Sequence, residues 1–212
     1  MLLLLVCQAG FSQGFVNLNF ERAKIVPDAA SLYYPYAIAI TNALPGWFCD
    51  GTQQGDITYN DQALGSSWIT LWATNGQQIS GKYSLYMQGG LGPGVSISQT
   101  GLVPASSLSL LFEAQPDIDA ASGSLVISLG GNNLPYFAIS TGANYTLFGA
   151  DISAYAGQTA QLKISALSGY YNNWNIDNFQ FSTTYVPEPG VLGLSALGGL
   201  LLACRRRKAR AI

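Results

Sequence analysis

The sequence predicts an all-β protein, a single β-sandwich with one hydrophobic helix at its C-terminus. Three observations lead there. Short alternating or β-branched runs recur along the chain, separated by clusters of Gly, Asn, Pro and Ser. No helical periodicity of useful length appears between residues 15 and 184. Charged residues make up only 9% of the chain, against about 25% in an ordinary soluble domain, and Gly, Ser, Thr, Asn, Gln and Tyr take the polar positions instead.

Strands are expected at 15–20, 68–73, 83–88, 95–100, 107–114, 124–129, 136–140, 144–148, 159–166 and 175–182. The run Lys82-Tyr-Ser-Leu-Tyr-Met-Gln88 alternates polar and apolar, as a half-exposed strand should. Gly130-Gly131-Asn132-Asn133 reads as a hairpin turn. Trp68 and Trp72 lie four apart in one strand and so share a face, which is read as core. About ten strands at this spacing suit a jelly-roll sandwich. The chain of 212 residues loses a leader and a tail, and the roughly 170 that remain can bury a sizeable core. The expected division is residues 1–14 as a leader remnant, 15–184 as the sandwich and 185–212 as a tail.

Charge is placed unevenly. Five of nine basic residues fall at Arg205, Arg206, Arg207, Lys208 and Arg210, and the rest of the chain carries four basic and eleven acidic residues, a net of −7. An acidic body lacks the basic footprint that nucleic acid demands, so no nucleic-acid partner is expected. The chain has no histidine. That removes Ser-His-Asp and Cys-His arrangements, histidine acid–base catalysis and histidine zinc sites. The Gly-rich run from Gly89 to Gly94 lacks the Lys and following helix of a phosphate loop. Glu113, Asp117 and Asp119 are the closest acidic group, but Pro116 and polar neighbours place them on a solvated turn rather than in a two-carboxylate hydrolase site. No enzyme activity is expected. Of three cysteines, only Cys49 lies in the body, where it reads as a small buried apolar residue.

The two ends carry addresses. Met1 to Val6 is an apolar run followed by small and polar residues, the end of a signal peptide's hydrophobic region with cleavage near residues 12–14. The run is short and lacks a positive flank, so a longer leader is expected upstream. At the other end, Val186-Pro187-Glu188-Pro189 precedes an uncharged apolar or small stretch, 190–204, and then the basic cluster. As a helix those 15 residues would span about 22 Å, a thin crossing of the ~30 Å bilayer core. The positive-inside rule keeps the arginines cytoplasmic and the body outside.

This order of parts resembles the PEP-CTERM sorting signal of Gram-negative bacteria, a segment also labelled an ice-binding protein C-terminal domain. The resemblance rests on Val186, Pro187, Glu188 and Pro189 with Arg205, Arg206 and Arg207. It implies recognition by an exosortase at the inner membrane, transient anchoring, cleavage near residues 187–189, and a final place at the cell surface or in the extracellular matrix.

The body resembles the galactose-binding-like jelly rolls, which include many carbohydrate-binding modules. The residues concerned are Phe15-Val-Asn-Leu-Asn-Phe-Glu21, the run 151–163, and Asn175-Ile-Asp-Asn-Phe-Gln-Phe181. In such modules the first and last strands lie side by side and help to hold a structural calcium ion. That resemblance makes Glu21 and Asp177 candidate calcium ligands, with hydrogen bonding at the sandwich edge as the alternative. A second candidate site is aromatic. Tyr170, Tyr171 and Trp174, between Gly169 and Asn175, could form a stacking platform for an extracellular polysaccharide, or could fill the core. Two functions stay open: a non-catalytic surface or matrix protein, and a carbohydrate-binding module.

Overall fold

A computed structural model describes residues 14–51, 56–61, 65–73, 77–116 and 124–186. The leader, the helix expected over 190–204 and the basic cluster lie outside the described residues. Among the described residues, no helix is long and apolar enough to cross a membrane.

The fold is all-β. Its strands are β1 (Ala37–Ala39), β2 (Phe48–Asp50), β3 (Asp56–Tyr59), β4 (Trp68–Trp72), β5 (Ser84–Gly90), β6 (Val95–Leu102) and β7 (Ser109–Pro116). They continue with β8 (Leu125–Leu129), β9 (Asn132–Asn133), β10 (Phe137–Thr141), β11 (Thr146–Asp151), β12 (Thr159–Ala166) and β13 (Gly169–Ser182). One helical turn, α1 (Ile40–Ala43), follows β1. The strands form an eight-stranded sheet in the order β1-β3-β4-β5-β13-β7-β11-β10 and a five-stranded sheet in the order β2-β6-β12-β8-β9. Pairing is antiparallel except between β3 and β4.

Alternation explains how the sheets close on one another. Successive side chains point to opposite faces of a strand. Ile69 and Leu71 of β4, Leu85 and Met87 of β5, Trp174 and Ile176 of β13, and Leu110, Phe112 and Ala114 of β7 join one buried cluster from the large sheet. Val95 and Ile97 of β6, Leu162 and Ile164 of β12, and Ile127 and Leu129 of β8 meet them from the small sheet. Phe112 sits at the centre. Its ring stacks on Phe179 at 5.2 Å and on Phe148 at 5.4 Å, with Tyr136 edge-on at 5.2 Å.

Two expectations need correction. Residues 15–20 do not form a strand: Asn17 and Phe20 adopt φ of 52° and 57°, which an extended strand cannot hold. The segment still lies against the last strand, since Phe179 N–H donates to the Leu18 carbonyl at 3.0 Å. Strand β5 does alternate, but it is buried on both faces, because β4 and β13 flank it and the chain before it folds over its polar side. Short strands β1, β2 and β3 carry too few residues to show a period in sequence. The expected hairpin turn is present: Gly130 and Gly131, at φ of 58° and 82°, join β8 to β9, and only glycine adopts two such residues in succession cheaply.

Candidate functional site: the outer face of the large sheet

Glu21 and Asp177 lie on either side of the segment that enters β5. Glu21 follows the tight turn at Asn17–Phe20, where the Asn17 side-chain oxygen accepts from Arg22 N–H at 2.9 Å. Glu21 Oε1 accepts from the amides of Lys82 at 2.7 Å and Tyr83 at 3.1 Å. Gly81, at φ of 54°, leaves room for that carboxylate, because a side chain there would meet Glu21 Oε1. Asp177 stands at a bulge in β13, where the pairing with β7 shifts between Asp177 and Gln180. Its Oδ2 accepts from Ser84 Oγ at 2.9 Å and its Oδ1 from Asn178 N–H at 2.7 Å. Burial pushes the Asp177 carboxyl up to about 8; the charges of Glu113 and Glu21 add to that rise, and the two hydrogen bonds oppose it.

Calcium takes six to eight oxygens. Among the described residues, no group of three acidic, cysteine or histidine side chains is placed to hold a metal. Donors already point at both oxygens of Asp177 and at one of Glu21, so the pair fits a hydrogen-bonding role that fastens the 77–84 segment to the sheet.

The three expected stacking residues are not brought together. Tyr170 and Tyr171 are 46% and 51% exposed and meet edge to face, with ring centroids 4.7 Å apart at 85°. Trp174 is 9% exposed, joins the core and donates its Nε1–H to Asn172 Oδ1 at 2.8 Å. A bulge between Gly169 and Asn173 separates the two tyrosines from the regular part of β13, and Trp174 pairs with Met87 on the core side.

Sequence reasoning missed a second surface, the face of the large sheet that turns away from the core. Cross-strand register sets its side chains in rows. Trp72 lies opposite Ser84, and Asp177 opposite Glu113. Thr70, Tyr86, Asn175 and Gln115 form the next row, and Trp68, Gln88 and Asn173 the third. Trp68 and Trp72 share a face as expected and are buried, but their side is this one and not the sandwich core. Trp72 packs on Tyr86 at 5.6 Å, and Trp68 meets Tyr33 edge-on at 4.7 Å while donating to Thr58 Oγ1 at 2.7 Å. The available signal was the Trp-x-x-x-Trp spacing combined with the polar members of β5 and β13.

A strap, residues 77–83, is bound over this face by asparagines. Asn175 Nδ2 donates to the Gln77 carbonyl at 2.7 Å, Asn144 Nδ2 to the Ile79 carbonyl at 3.0 Å, and Asn178 Nδ2 to Ser80 Oγ at 2.8 Å. Beside it opens a cleft of about 580 Å³ lined by Asn19, Leu111, Glu113, Leu147, Asn178 and Gln180.

Comparison with known proteins adds the following. The model of the PEP-CTERM protein-sorting motif matches residues 186–208. No curated protein matches the chain. Among solved structures, the chain is similar to TmCBM61 in complex with β-1,4-galactotriose, with 16% identity and a TM-score of 0.44 over 81% of this chain and 99% of that one. It is also similar to the C-terminal family 22 carbohydrate-binding module of Clostridium thermocellum Xyn10B, with 13% identity and a TM-score of 0.39 over 76% and 100% of the two chains. By its sorting motif the chain is an exported surface protein, and its body is all-β. It carries a PEP-CTERM sorting motif that begins at Val186, a few residues after β13.

Proposed function

We propose that the protein is a non-catalytic constituent of the cell surface or extracellular matrix, and that its jelly-roll body is its working part once sorting is complete. One observation carries this reading: the sorting motif, residues 186–208, follows closely on the last strand of the body, β13. Val186 is buried, and the Ser109 hydroxyl donates to the Thr184 carbonyl at 2.7 Å, so the chain stays packed on the body up to the start of the motif. An exosortase would cut near residues 187–189, after the segment 190–204 has held the chain in the inner membrane. The lack of histidine supports a non-catalytic role. Mass spectrometry of the protein from its native cells tests the proposal. A C-terminus within residues 187–189 is expected, and a tail intact through Ile212 would overturn the sorting step.

A second reading, contact with an extracellular polysaccharide, is favoured by the exposed tyrosine pair Tyr170 and Tyr171. Tyrosine rings offer flat apolar faces with a polar edge, which suits sugar rings. Replacing both by Ala should then weaken retention on the polysaccharide and leave the fold unchanged. Unchanged retention would remove these tyrosines from the contact.

A further inference from the structure

Native interiors leave few buried polar atoms without a partner. Here they gather. Trp72 Nε1, Gln88 Oε1, Asn173 Oδ1 and Asn175 Oδ1 are all buried without a hydrogen-bond partner, and all four residues occupy the outer face of β4, β5 and β13. Trp72, Gln88 and Asn173 are 2%, 1% and 6% exposed. Gln78 Oε1, on the strap, is a fifth such atom. Asn175 already spends its Nδ2 on the Gln77 carbonyl, so turning its amide round would only move the deficit.

The atoms define a demand. Four carbonyl oxygens lack donors and one indole N–H lacks an acceptor. A bare cation would serve the oxygens and repel the N–H. An anion would serve the N–H alone and would face the Glu113 carboxylate in the adjoining row. A hydroxyl both donates and accepts, so a chain of hydroxyls meets both needs. Around the atoms stand flat rings, with Trp72 on Tyr86 and Trp68 one residue pair away. Orphaned amides beside aromatic faces form a site for a neutral, polyhydroxylated ligand.

We propose that the outer face of β4, β5 and β13, bordered by the strap 77–83 at Asn175, is a binding site for a neutral carbohydrate segment that pairs with Trp72, Gln88, Asn173 and Asn175. The proposal deepens the polysaccharide-contact reading and rests on it, but it places the contact on the sheet face instead of the exposed tyrosines. Entry at Asn175 requires the strap to lift. Three asparagine side chains hold it down, and Asn175 is common to both strap and site, so a ligand that engages Asn175 competes with the closing contact.

The test uses the processed protein from native cells, run by affinity electrophoresis in gels containing a β-1,4-galactan, a xylan, a β-glucan or the cells' own exopolysaccharide, with alginate as the anionic control. Slowed migration in at least one neutral gel is expected, together with a change in tryptophan fluorescence. Gln88→Ala and Asn173→Ala should each weaken retention by about tenfold or more, read at a temperature where both variants keep the wild-type circular dichroism, because truncating these buried side chains also lowers Tm. The Tyr170→Ala/Tyr171→Ala variant separates the two placements. If it abolishes retention while Gln88→Ala and Asn173→Ala keep it, polysaccharide contact stands and the sheet-face site falls. If no neutral polysaccharide retains the protein, both fall. Retention in alginate alone also overturns the proposal. So does a peptide pool that quenches the tryptophans where no glycan does.

Discussion

Asp177 is almost without solvent, and its ionisation has a cost that the fold meets only in part. Its two hydrogen bonds favour the charged form, yet burial outweighs them and lifts the carboxyl to about 8. In the unfolded chain an aspartate titrates near 3.9. The native state therefore holds an extra proton between those values. The stability from this group is fully present below about pH 4 and is lost as pH rises through about 8. Asp177→Asn keeps the shape and an acceptor for Asn178 N–H but cannot ionise. Denaturant midpoints measured from pH 4 to 9 should show the wild type losing stability relative to Asp177→Asn, at up to about 1.4 kcal/mol per pH unit. Parallel profiles for the two proteins would mean that Asp177 keeps an ordinary carboxylate pKa.

Cys49 shows the same physics with another group. It is buried on β2 in the core, and burial pushes its thiol up to about 12. Almost no thiolate exists at neutral pH, and the thiolate is the reactive form. Maleimide should leave Cys49 unmodified in the folded protein and label it on unfolding, as read by mass spectrometry of the peptide. Rapid labelling under native conditions would contradict its burial.

At the scale of elements, the strap is the part whose attachment is most specific. Glu21 holds it from one side through the Lys82 and Tyr83 amides, and Asn178 and Asn175 hold it from the other. Gly81→Ala would force a side chain into the left-handed region and against Glu21, and a loss of about 1–3 kcal/mol is expected from urea unfolding. The hydrogen bonds on Glu21 and Asp177 also predict the effect of chelation. Because protein donors serve these carboxylates, EDTA should leave Tm unchanged. A fall of several degrees that calcium reverses would show that the pair recruits an ion after all.

These elements also show where sequence reading succeeds. The alternation in Thr159–Ala166 and the paired glycines at 130–131 are local signals, and their structures follow from backbone chemistry alone. Residues 15–20 carry a similar alternation, but Asn17 tolerates the left-handed region and its side chain ties down Arg22 N–H, so a turn wins. Trp174 could not be placed from its neighbours. Which face it joined depended on the bulge between Gly169 and Asn173.

For the whole molecule, two sheets share one core, and Phe112 is where their contacts converge. It is fully buried against three other rings, so Phe112→Ala should cost about 3–5 kcal/mol, measured by chemical denaturation. With ordinary domains stable by only about 5–15 kcal/mol, that loss would bring the body close to unfolding at growth temperature. A cost below about 1 kcal/mol would show a core able to collapse around the gap.

The sequence by itself determined the all-β class, the acidic body without histidine, and the sorting motif at 186–208. Each of these is composition or short-range order, which a linear chain displays directly. Only the tertiary structure decided that β5 is buried on both faces, that Trp174 faces the core, and that Trp72, Gln88, Asn173 and Asn175 stand on one surface with unmet hydrogen-bonding capacity. Those facts come from strand order and register. Pairing between residues up to about a hundred positions apart brings Trp72 and Asn175 onto one face, and no local preference in either segment encodes that meeting.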